Sequence, residues 1–335
     1  MRKISLMILA LFLIVMVIPF FIISSCEAIN QRDDEPDVIE EKDQVFVTVL
    51  NTEDNTTMEL TIDEYIKGVV AAEMPVNFEL EALKAQAVAA RTYTLNRLDE
   101  FGGKPDDAHP QYELCTDHRH CQAWISKDDR LVAWSKNTEL SALNSIELWS
   151  KIEAAVDSTK GESLIYNGEL IDPLFHSSSG GVTENSEDYF SASLPYLRSV
   201  PSEYETNSPY ISTNFDMSED DFEKTLKNKY PDMVLKKNKM IDNLEIIRRT
   251  KSGRVDEIRV GNKTLTGREI RELLSLRSNN FTIKQDGNNI VFTVNGNGHG
   301  VGLSQYGANG MAEAGFDYVN ILKHYYTGVE LKKVY

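Results

Sequence analysis

The apolar positions between residues 62 and 70 follow the spacing of one face of an α-helix. They are Ile62, Tyr65, Ile66, Val69 and Val70. Thr61 with Glu64 three residues later is a capping-box signature that predicts where this helix begins, and Pro75 predicts where it ends. The next position on the apolar face is 73, and it holds a glutamate.

Glu73 therefore occupies a position where a core residue is expected. Burial and the negative end of the helix dipole both disfavour a carboxylate there, so both favour the protonated acid. A glutamate that stays protonated near neutral pH can act as a general acid. The alternative is a helix-end residue that bends out to solvent.

The rest of the pattern predicts separate helices and hairpins. Alternating residues over Gln44–Leu50 and Thr57–Ile62 predict a hairpin, and an alanine-rich helix is predicted over Glu79–Arg97. Its alanines reflect either helix propensity or the close approach of another backbone. Other predicted elements are a helix within 139–156, short strands around an Asn167–Gly168 turn, helices near Glu219–Asn228 and Gly267–Leu273, and strands near Leu244–Arg249 and Val255–Val260. We expect an α+β fold of mixed helices and antiparallel hairpins around a cleft.

The N-terminus predicts attachment to a membrane. An uncharged apolar run, Ile4–Ile23, follows the basic "MRK" and is long enough to span a bilayer, with the rest of the chain outside the cytoplasm. The alternative is a lipoprotein, because "ISSC" resembles a lipoprotein cleavage site with Cys26 as the lipidated residue. The predicted organisation is a transmembrane anchor at 1–27, an acidic flexible linker at 28–43, and an extracytoplasmic catalytic domain at 44–335 with a charged lobe at about 201–275.

The overall charge excludes one class of partner. The net charge is −17 and the sequence pI is near 4.9. Nucleic-acid binding requires a basic face, so we do not expect it here.

The run "AHPQYELCTDHRHC" combines histidines and cysteines at close spacing. Its side chains suit a structural, tetrahedral zinc ion. The predicted ligands are His109, Cys115, His120 and Cys121, with His118 as a replacement for either histidine. The alternative is a Cys115–Cys121 disulfide, which an extracellular compartment permits, and no metal. The acid chemistry predicted for Glu73 needs no metal in either case.

Three blocks of sequence resemble the stage II sporulation protein D family. They are "AAEMP" with "EALKAQAVAARTY", then "HSSSGGVTE", then "GHGVGLSQYGA". The resemblance implies a lytic transglycosylase that cuts peptidoglycan glycan strands, with Glu73 as its catalytic residue. It also implies membrane anchoring, partnership with stage II sporulation proteins P and M, and a place in septal wall remodelling and engulfment during sporulation, between forespore and mother cell.

The implied substrate is the bond between N-acetylmuramic acid and N-acetylglucosamine in peptide-stripped strands, with a 1,6-anhydro ring as product. Lys84 and Arg91 lie two helical turns apart and could meet the muramic lactyl carboxylate, although a solvated cationic face is the alternative. Glycines let a backbone approach a ligand, and sugar contacts are expected from the polar groups of the two later blocks. These are His176, Ser177, His299, Gln305 and Tyr306.

Two other functions remain open on this sequence. One is a non-catalytic peptidoglycan-binding scaffold, in which Glu73 only accepts hydrogen bonds. The other is a hydrolytic muramidase, which would need a second carboxylate. Glu184 is the nearest candidate within a motif, and a structural role is expected for it.

Overall fold

The computed structural model describes residues 44–335 apart from 105–108, 138–143 and 237–238. The predicted anchor and linker, residues 1–43, lie outside the described residues. Within the part of the chain that is described, no helix combines the length and apolar character needed to cross a bilayer.

The described residues form helices and mostly antiparallel strands, as the α+β prediction expects. The helices are α1 (Ile62–Glu73), α2 (Leu80–Leu95), α3 (Lys127–Lys136), α4 (Ser145–Asp157), α5 (Ser186–Tyr189), α6 (Glu219–Lys229), α7 (Gly267–Leu274), α8 (Gln305–Glu313) and α9 (Tyr318–Tyr325). The strands are β1 (Phe46–Asn51), β2 (Thr56–Thr61), β3 (Leu114–Cys115), β4 (Glu162–Tyr166), β5 (Glu169–Leu170), β6 (Phe175–His176), β7 (Thr213–Ser218), β8 (Leu244–Arg249), β9 (Val255–Val260), β10 (Lys263–Thr266), β11 (Phe281–Asp286), β12 (Asn289–Val294), β13 (Leu303–Ser304) and β14 (Glu330–Lys333).

The first hairpin and helix form as predicted. Strands β1 and β2 pair antiparallel, and α1 begins directly after β2. The capping box is present: the Glu64 N–H donates to Thr61 Oγ1 at 3.3 Å, and the Thr61 N–H donates to Glu64 Oε2 at 3.1 Å. Met74 then adopts an extended conformation, so α1 ends before Pro75.

Helix α2 runs through the centre of the larger part of the fold. Its residues are buried almost without interruption from Ala82 to Leu95. Helices α1, α4, α8 and α9 and strand β4 all pack against it. Small side chains allow this many neighbours to approach one helix, so the alanines are explained by packing as well as by helix propensity.

A smaller lobe has a hydrophobic core of its own. Strands β7, β12 and β11 form one antiparallel sheet, and β8, β9 and β10 form another. Helices α6 and α7 complete the lobe, and the buried cluster includes Phe222, Ile258, Ile270, Phe281 and Phe292. The charged lobe predicted at about 201–275 overlaps this cluster, which extends to Val294.

The last glycine-rich block continues from a loop into a helix. Only its first part, up to Gly302, is a loop, and α8 begins at Gln305. Gly307 and Gly310 lie inside this helix. A Cβ at Gly307 would lie 1.9 Å from the Tyr325 hydroxyl, and a Cβ at Gly310 would lie 1.8 Å from the Tyr204 carbonyl. Close packing, rather than loop formation, requires glycine at these two positions.

Candidate active site

Glu73 ends α1 and lines a cavity of about 960 Å³. The backbone N–H of Ala123 donates to its Oε1 at 2.9 Å, and the side chain of Gln305 donates to its Oε2 at 3.4 Å. Burial raises the pKa of Glu73 above its ordinary value, and the two hydrogen bonds oppose this rise only in part. The arrangement favours a protonated carboxyl and also provides two donors for the carboxylate.

The Ala123 donor is positioned by a loop that packs on α1. Trp124 lies directly over Gly68, where an added Cβ would be 2.2 Å from the indole Nε1. The Ile125 N–H also donates to the Gly68 carbonyl at 3.4 Å. The glycine inside an otherwise helical pattern was a signal for this contact, because such glycines usually have a packing reason.

Gln305 lies beside Glu73, at the first turn of α8. Its side-chain nitrogen also reaches Gln86 Oε1, at 3.4 Å. Gln86 lies on α2 and is fully buried. Gln305 lies in a sequence motif and was predicted to belong to the site. Gln86 was not, because no sequence pattern indicates the burial of a glutamine inside an alanine-rich helix.

Neutral histidines and aromatic rings line another side of the cavity. His176 donates from Nδ1 to the Val301 carbonyl at 3.2 Å, and the Val301 N–H donates to His299 Nδ1 at 3.0 Å. Burial, with a contribution from Arg254, lowers the pKa of His176 to about 3. Burial also lowers the pKa of His299 well below its ordinary value. Both imidazoles are therefore poor bases near neutral pH, and they offer polar edges and ring faces instead.

Tyr189 and Phe190 extend this aromatic side. Their ring centroids are 4.9 Å apart, and the His299 ring is 5.5 Å from Phe190. Aromatic faces suit the apolar faces of sugar rings. The two aromatic residues follow the "HSSSGGVTE" block, and nothing in the sequence distinguished them from core residues.

Ser177 and Tyr306 lie together but do not line the cavity. The Tyr306 N–H donates to the Ser177 carbonyl at 3.0 Å. The Tyr306 ring packs edge-on against Phe78 and Tyr210, with centroids 5.0 and 5.7 Å away. Their predicted sugar contacts stay predictions.

The structure places Arg91, a predicted substrate contact, inside the fold. Its side chain is fully buried. The guanidinium donates to the carbonyls of Val156 and Thr159 at 3.1 and 2.8 Å, just where α4 ends. Its charge thus stabilises the negative end of that helix, and it does not reach the cavity.

Lys84 is also used within the fold. Its ammonium donates to Glu81 Oε1 at 2.7 Å and lies 5.6 Å from the centroid of the Tyr318 ring. Like Arg91, it is absent from the lining of the cavity. A carboxylate bound in the cavity must therefore be met by other cations.

The predicted zinc ligands come together as two pairs. The rings of His109 and His120 have centroids 5.4 Å apart, and the Cys115 N–H donates to Cys121 Sγ at 3.3 Å. Both thiols are free, and burial raises the pKa of the Cys121 thiol to about 12. Among the described residues, no three His, Cys, Asp or Glu side chains are arranged as a metal site. His118, the replacement ligand, is exposed at the cavity. Zinc binding by four ligands stays a prediction.

Glu184 has a structural role, as predicted from the sequence. It is fully buried and does not line the cavity. Its Oε2 accepts from the hydroxyls of Thr250 and Ser252 at 2.6 and 2.7 Å. Among the described residues, the acids that line the cavity are Glu73 and Glu272.

A buried polar network supports two neighbouring glycine-rich loops, at residues 177–184 and 296–302. Glu205 accepts from the hydroxyls of Ser178, Ser179 and Ser202 at 2.6 to 2.7 Å. Burial raises its pKa, but these and neighbouring hydrogen bonds outweigh burial and lower it. Arg254 donates to the Ser179 carbonyl at 2.8 Å. Neither charge could be recognised as buried from the sequence of a lobe rich in charges.

Comparison with known proteins gives two family matches. Residues 51–166 match the family model described as a stage II sporulation protein. Residues 210–302 match a domain of unknown function, and this range covers the smaller lobe.

Three curated relatives are similar over most of this chain. The chain is 37% identical to stage II sporulation protein D of Bacillus amyloliquefaciens, over 86% of this chain and 79% of the relative. It is 36% identical to stage II sporulation protein D of Bacillus subtilis (strain 168), over the same shares. It is 29% identical to the amidase enhancer of Bacillus subtilis (strain 168), over 79% of this chain and 40% of that protein.

Proposed function

Because this chain belongs to the stage II sporulation protein D family, we propose that it is a lytic transglycosylase of sporulation. Its substrate would be the bond between N-acetylmuramic acid and N-acetylglucosamine in peptide-stripped glycan strands. The observation that carries the proposal is Glu73, a carboxyl group with a raised pKa in a cavity of about 960 Å³. A cavity of this size lies at the upper end of the range of about 300–1,000 Å³ that is typical of ligand-binding pockets.

One carboxyl group is enough for the proposed reaction. The Glu73 acid gives its proton to the glycosidic oxygen as the bond from that oxygen to the muramoyl C1 breaks. The carboxylate then takes the proton of the muramoyl C6 hydroxyl while O6 bonds to C1, which closes the 1,6-anhydro ring. No water is consumed, and the proton of Glu73 is restored. The donors on Ala123 and Gln305 would stabilise the carboxylate between these two steps.

Hydrolysis is the second candidate, because a second acid lines the cavity. Glu272 lies on α7 in the smaller lobe and accepts from Arg268 Nε at 2.8 Å. A hydrolase would use such a carboxylate to activate water or to form a glycosyl intermediate. The ion pair with Arg268 engages the Glu272 carboxylate that a hydrolase would need to activate water or attack the sugar, so we favour the single-acid reaction.

The products of cleavage test this proposal. Purified protein and peptide-stripped strands should yield fragments with 1,6-anhydro ends by mass spectrometry. Glu73→Gln should lower the rate about a hundred- to ten-thousand-fold without loss of strand binding. Glu59→Gln is the control, because Glu59 is exposed on β2.

Other products would support the other functions. Reducing ends, with a loss of activity in Glu272→Gln, would indicate a hydrolase. Binding without any product would indicate a scaffold. Activity of Glu73→Gln within tenfold of the parent would refute the role of Glu73.

A structural zinc ion is proposed for the cysteine–histidine loop. His109, Cys115, His120 and Cys121 would hold it, and the ion would cross-link the loop without taking part in bond cleavage. The contact within each of the two pairs and the soft donor set support this choice. The high pKa of Cys121 requires that metal binding displace its proton. About one equivalent of zinc by elemental analysis, lost in Cys115→Ser, is expected; metal-free protein with no free thiol would mean the disulfide instead.

The cellular context is proposed from the sequence and the family. Residues 1–27 would anchor the protein in the membrane of the forespore–mother cell septum, with residues 44–335 on the extracytoplasmic side. Stage II sporulation proteins P and M would be its partners, and the former would supply peptide-free strands. Membrane fractionation of sporulating cells and co-purification with both proteins test this. Recovery of the full-length chain only in the cytoplasm would refute it.

A further inference from the structure

The cavity is cationic in a protein that is strongly acidic. The chain carries a net charge of −17. Yet the cavity lining contains four arginines, which are Arg97, Arg119, Arg268 and Arg271. Among the described residues, the only acids that line the cavity are Glu73, whose pKa is raised, and Glu272. Such a local excess of positive charge favours an anionic ligand.

Three of the four arginines already have a carboxylate partner. Arg97 pairs with Asp172 at 3.2 Å, and Arg119 pairs with Asp117 at 2.6 Å. Arg268 pairs with Glu272 at 2.8 Å, one turn further along α7. These pairs largely cancel the charge that each arginine would offer to a ligand.

Arg271 has no carboxylate partner among the described residues. Its Nε donates to the Leu276 carbonyl at 3.3 Å, and its Nη1 donates to the Tyr189 hydroxyl at 2.6 Å. Both acceptors are neutral, so they fix the orientation of the guanidinium without neutralising it. No acceptor within the described part of the chain bonds to Nη2. Arg271 is also half-buried, so a charge-assisted hydrogen bond there is less weakened by solvent than one at the surface.

We infer that Arg271 binds the free lactyl carboxylate of muramic acid and thereby makes the site selective for peptide-free strands. This inference rests on the proposed function. A stem peptide converts the lactyl carboxylate into a neutral amide, which removes the charge that the guanidinium recognises. Arg271 lies on α7 of the smaller lobe, whereas Glu73 lies on α1 of the larger part. The smaller lobe would therefore select the substrate, and the larger part would supply the acid.

Two substrates that differ only in this carboxylate test the role of Arg271. Peptide-free strands are compared with the same strands after carbodiimide coupling to methylamine, which turns each carboxylate into an amide. For the parent protein, kcat/KM should be about 10- to 100-fold higher on the carboxylate strands, as expected for one hydrogen bond to a charged group. Arg271→Gln should lower this ratio to within about threefold, mainly by loss on the carboxylate strands. Arg271→Lys keeps the positive charge but loses the planar set of guanidinium donors, so its ratio should lie between those of the parent and Arg271→Gln.

The control is Arg259→Gln, an equal charge change on the same lobe. Arg259 lies on β9 and is exposed in a pair with Glu245. It should leave the ratio unchanged. A parent protein that does not discriminate, or an Arg271→Gln variant that discriminates as the parent does, would overturn the inference. A structural defect would lower both rates and leave the ratio intact, so it cannot imitate the expected result.

A binding measurement separates this inference from the proposed reaction. Glu73→Gln protein, with and without Arg271→Gln, is titrated with both kinds of strand. Tighter binding of carboxylate strands that depends on Arg271 supports the inference even if the parent yields no anhydro products. Equal binding of both strands by Glu73→Gln would overturn it even if the parent cleaves them.

Discussion

At the scale of single residues, the site depends on two groups whose charged forms are disfavoured by burial. Burial raises the pKa of Glu73 and lowers the pKa of His176, and the physical cause is the same loss of solvation. The consequences for stability have opposite signs, because one group is charged when deprotonated and the other when protonated.

Glu73→Gln should be more stable than the parent at high pH. The folded pKa of Glu73 is raised above the unfolded value near 4.5, so the folded state binds more protons in that window. Stability of the parent therefore falls as pH rises through it. The gain in free energy of unfolding from Glu73→Gln should be small at pH 4 and larger at pH 8, by urea denaturation. A gain independent of pH, or a loss at pH 8, would show that the ionised carboxylate has a structural partner.

His176 should make the protein sensitive to acid. Its pKa is about 3 in the folded state against 6.5 in the unfolded chain, so the unfolded chain binds more protons between these values. Stability falls as pH falls through the window, and the loss from pH 7 to pH 5 should be about 2 kcal/mol from this residue. In His176→Gln that part should disappear, leaving a smaller loss to which His299 contributes. Identical pH dependence in both proteins would exclude a buried neutral His176.

At the scale of elements, the contact between α1 and the loop at 122–125 links packing to chemistry. Gly68 receives Trp124, and the following turn of α1 delivers Glu73 to the Ala123 N–H. A shift of the loop would therefore move a hydrogen-bond donor of the proposed catalytic acid.

Gly68→Ala should destabilise the protein although alanine is the better helix former. The propensity gain is about 1 kcal/mol, but the new Cβ would lie 2.2 Å from the Trp124 indole. We expect a net loss of about 1–3 kcal/mol, as for other overpacked sites, together with reduced kcat. In a Trp124→Ala background the same substitution should cost less. Equal costs in both backgrounds would mean that Trp124 is not the group displaced.

Local elements followed from the sequence where local rules decide them. The capping box at Thr61 set the start of α1, and the Asn167–Gly168 pair set the β4–β5 turn, where both residues have positive φ. Helix α8 was not predicted, because its glycines are required by contacts with Tyr325 and Tyr204, which are distant in sequence. The candidate site was also only partly predictable. Sequence motifs identified Glu73 and Gln305. The ion pairs of the other cavity arginines, which leave Arg271 without a carboxylate partner among the described residues, depend on the folded structure and could not be read from the sequence.

At the scale of the whole molecule, residues from both parts of the fold line one cavity. Glu73 comes from α1, and Arg268, Arg271 and Glu272 come from α7 of the smaller lobe. The two glycine-rich loops lie between these parts, and Arg254 of the lobe supports both. It donates to the carbonyls of Ser179 and Val182, and it fills the space where a Cβ at Gly300 would lie.

Arg254→Leu should therefore disturb stability and activity together. Arg254 is 1% exposed and donates to the carbonyls of Ser179 and Val182. The charges of Glu184 and Glu205 also stabilise its guanidinium. Removing it leaves buried acceptors and negative charge without their partner, which should cost about 3–5 kcal/mol in the free energy of unfolding. Activity at a temperature where the variant is folded should also fall, because the loop that follows His176 and the loop that carries His299 lose a common support. Arg259→Leu, on the exposed side of the same lobe, should cost no more than about 1 kcal/mol and leave activity intact. If the two leucine variants behaved alike, the buried network would not be what holds the lobe's arginines and Glu73 around one cavity.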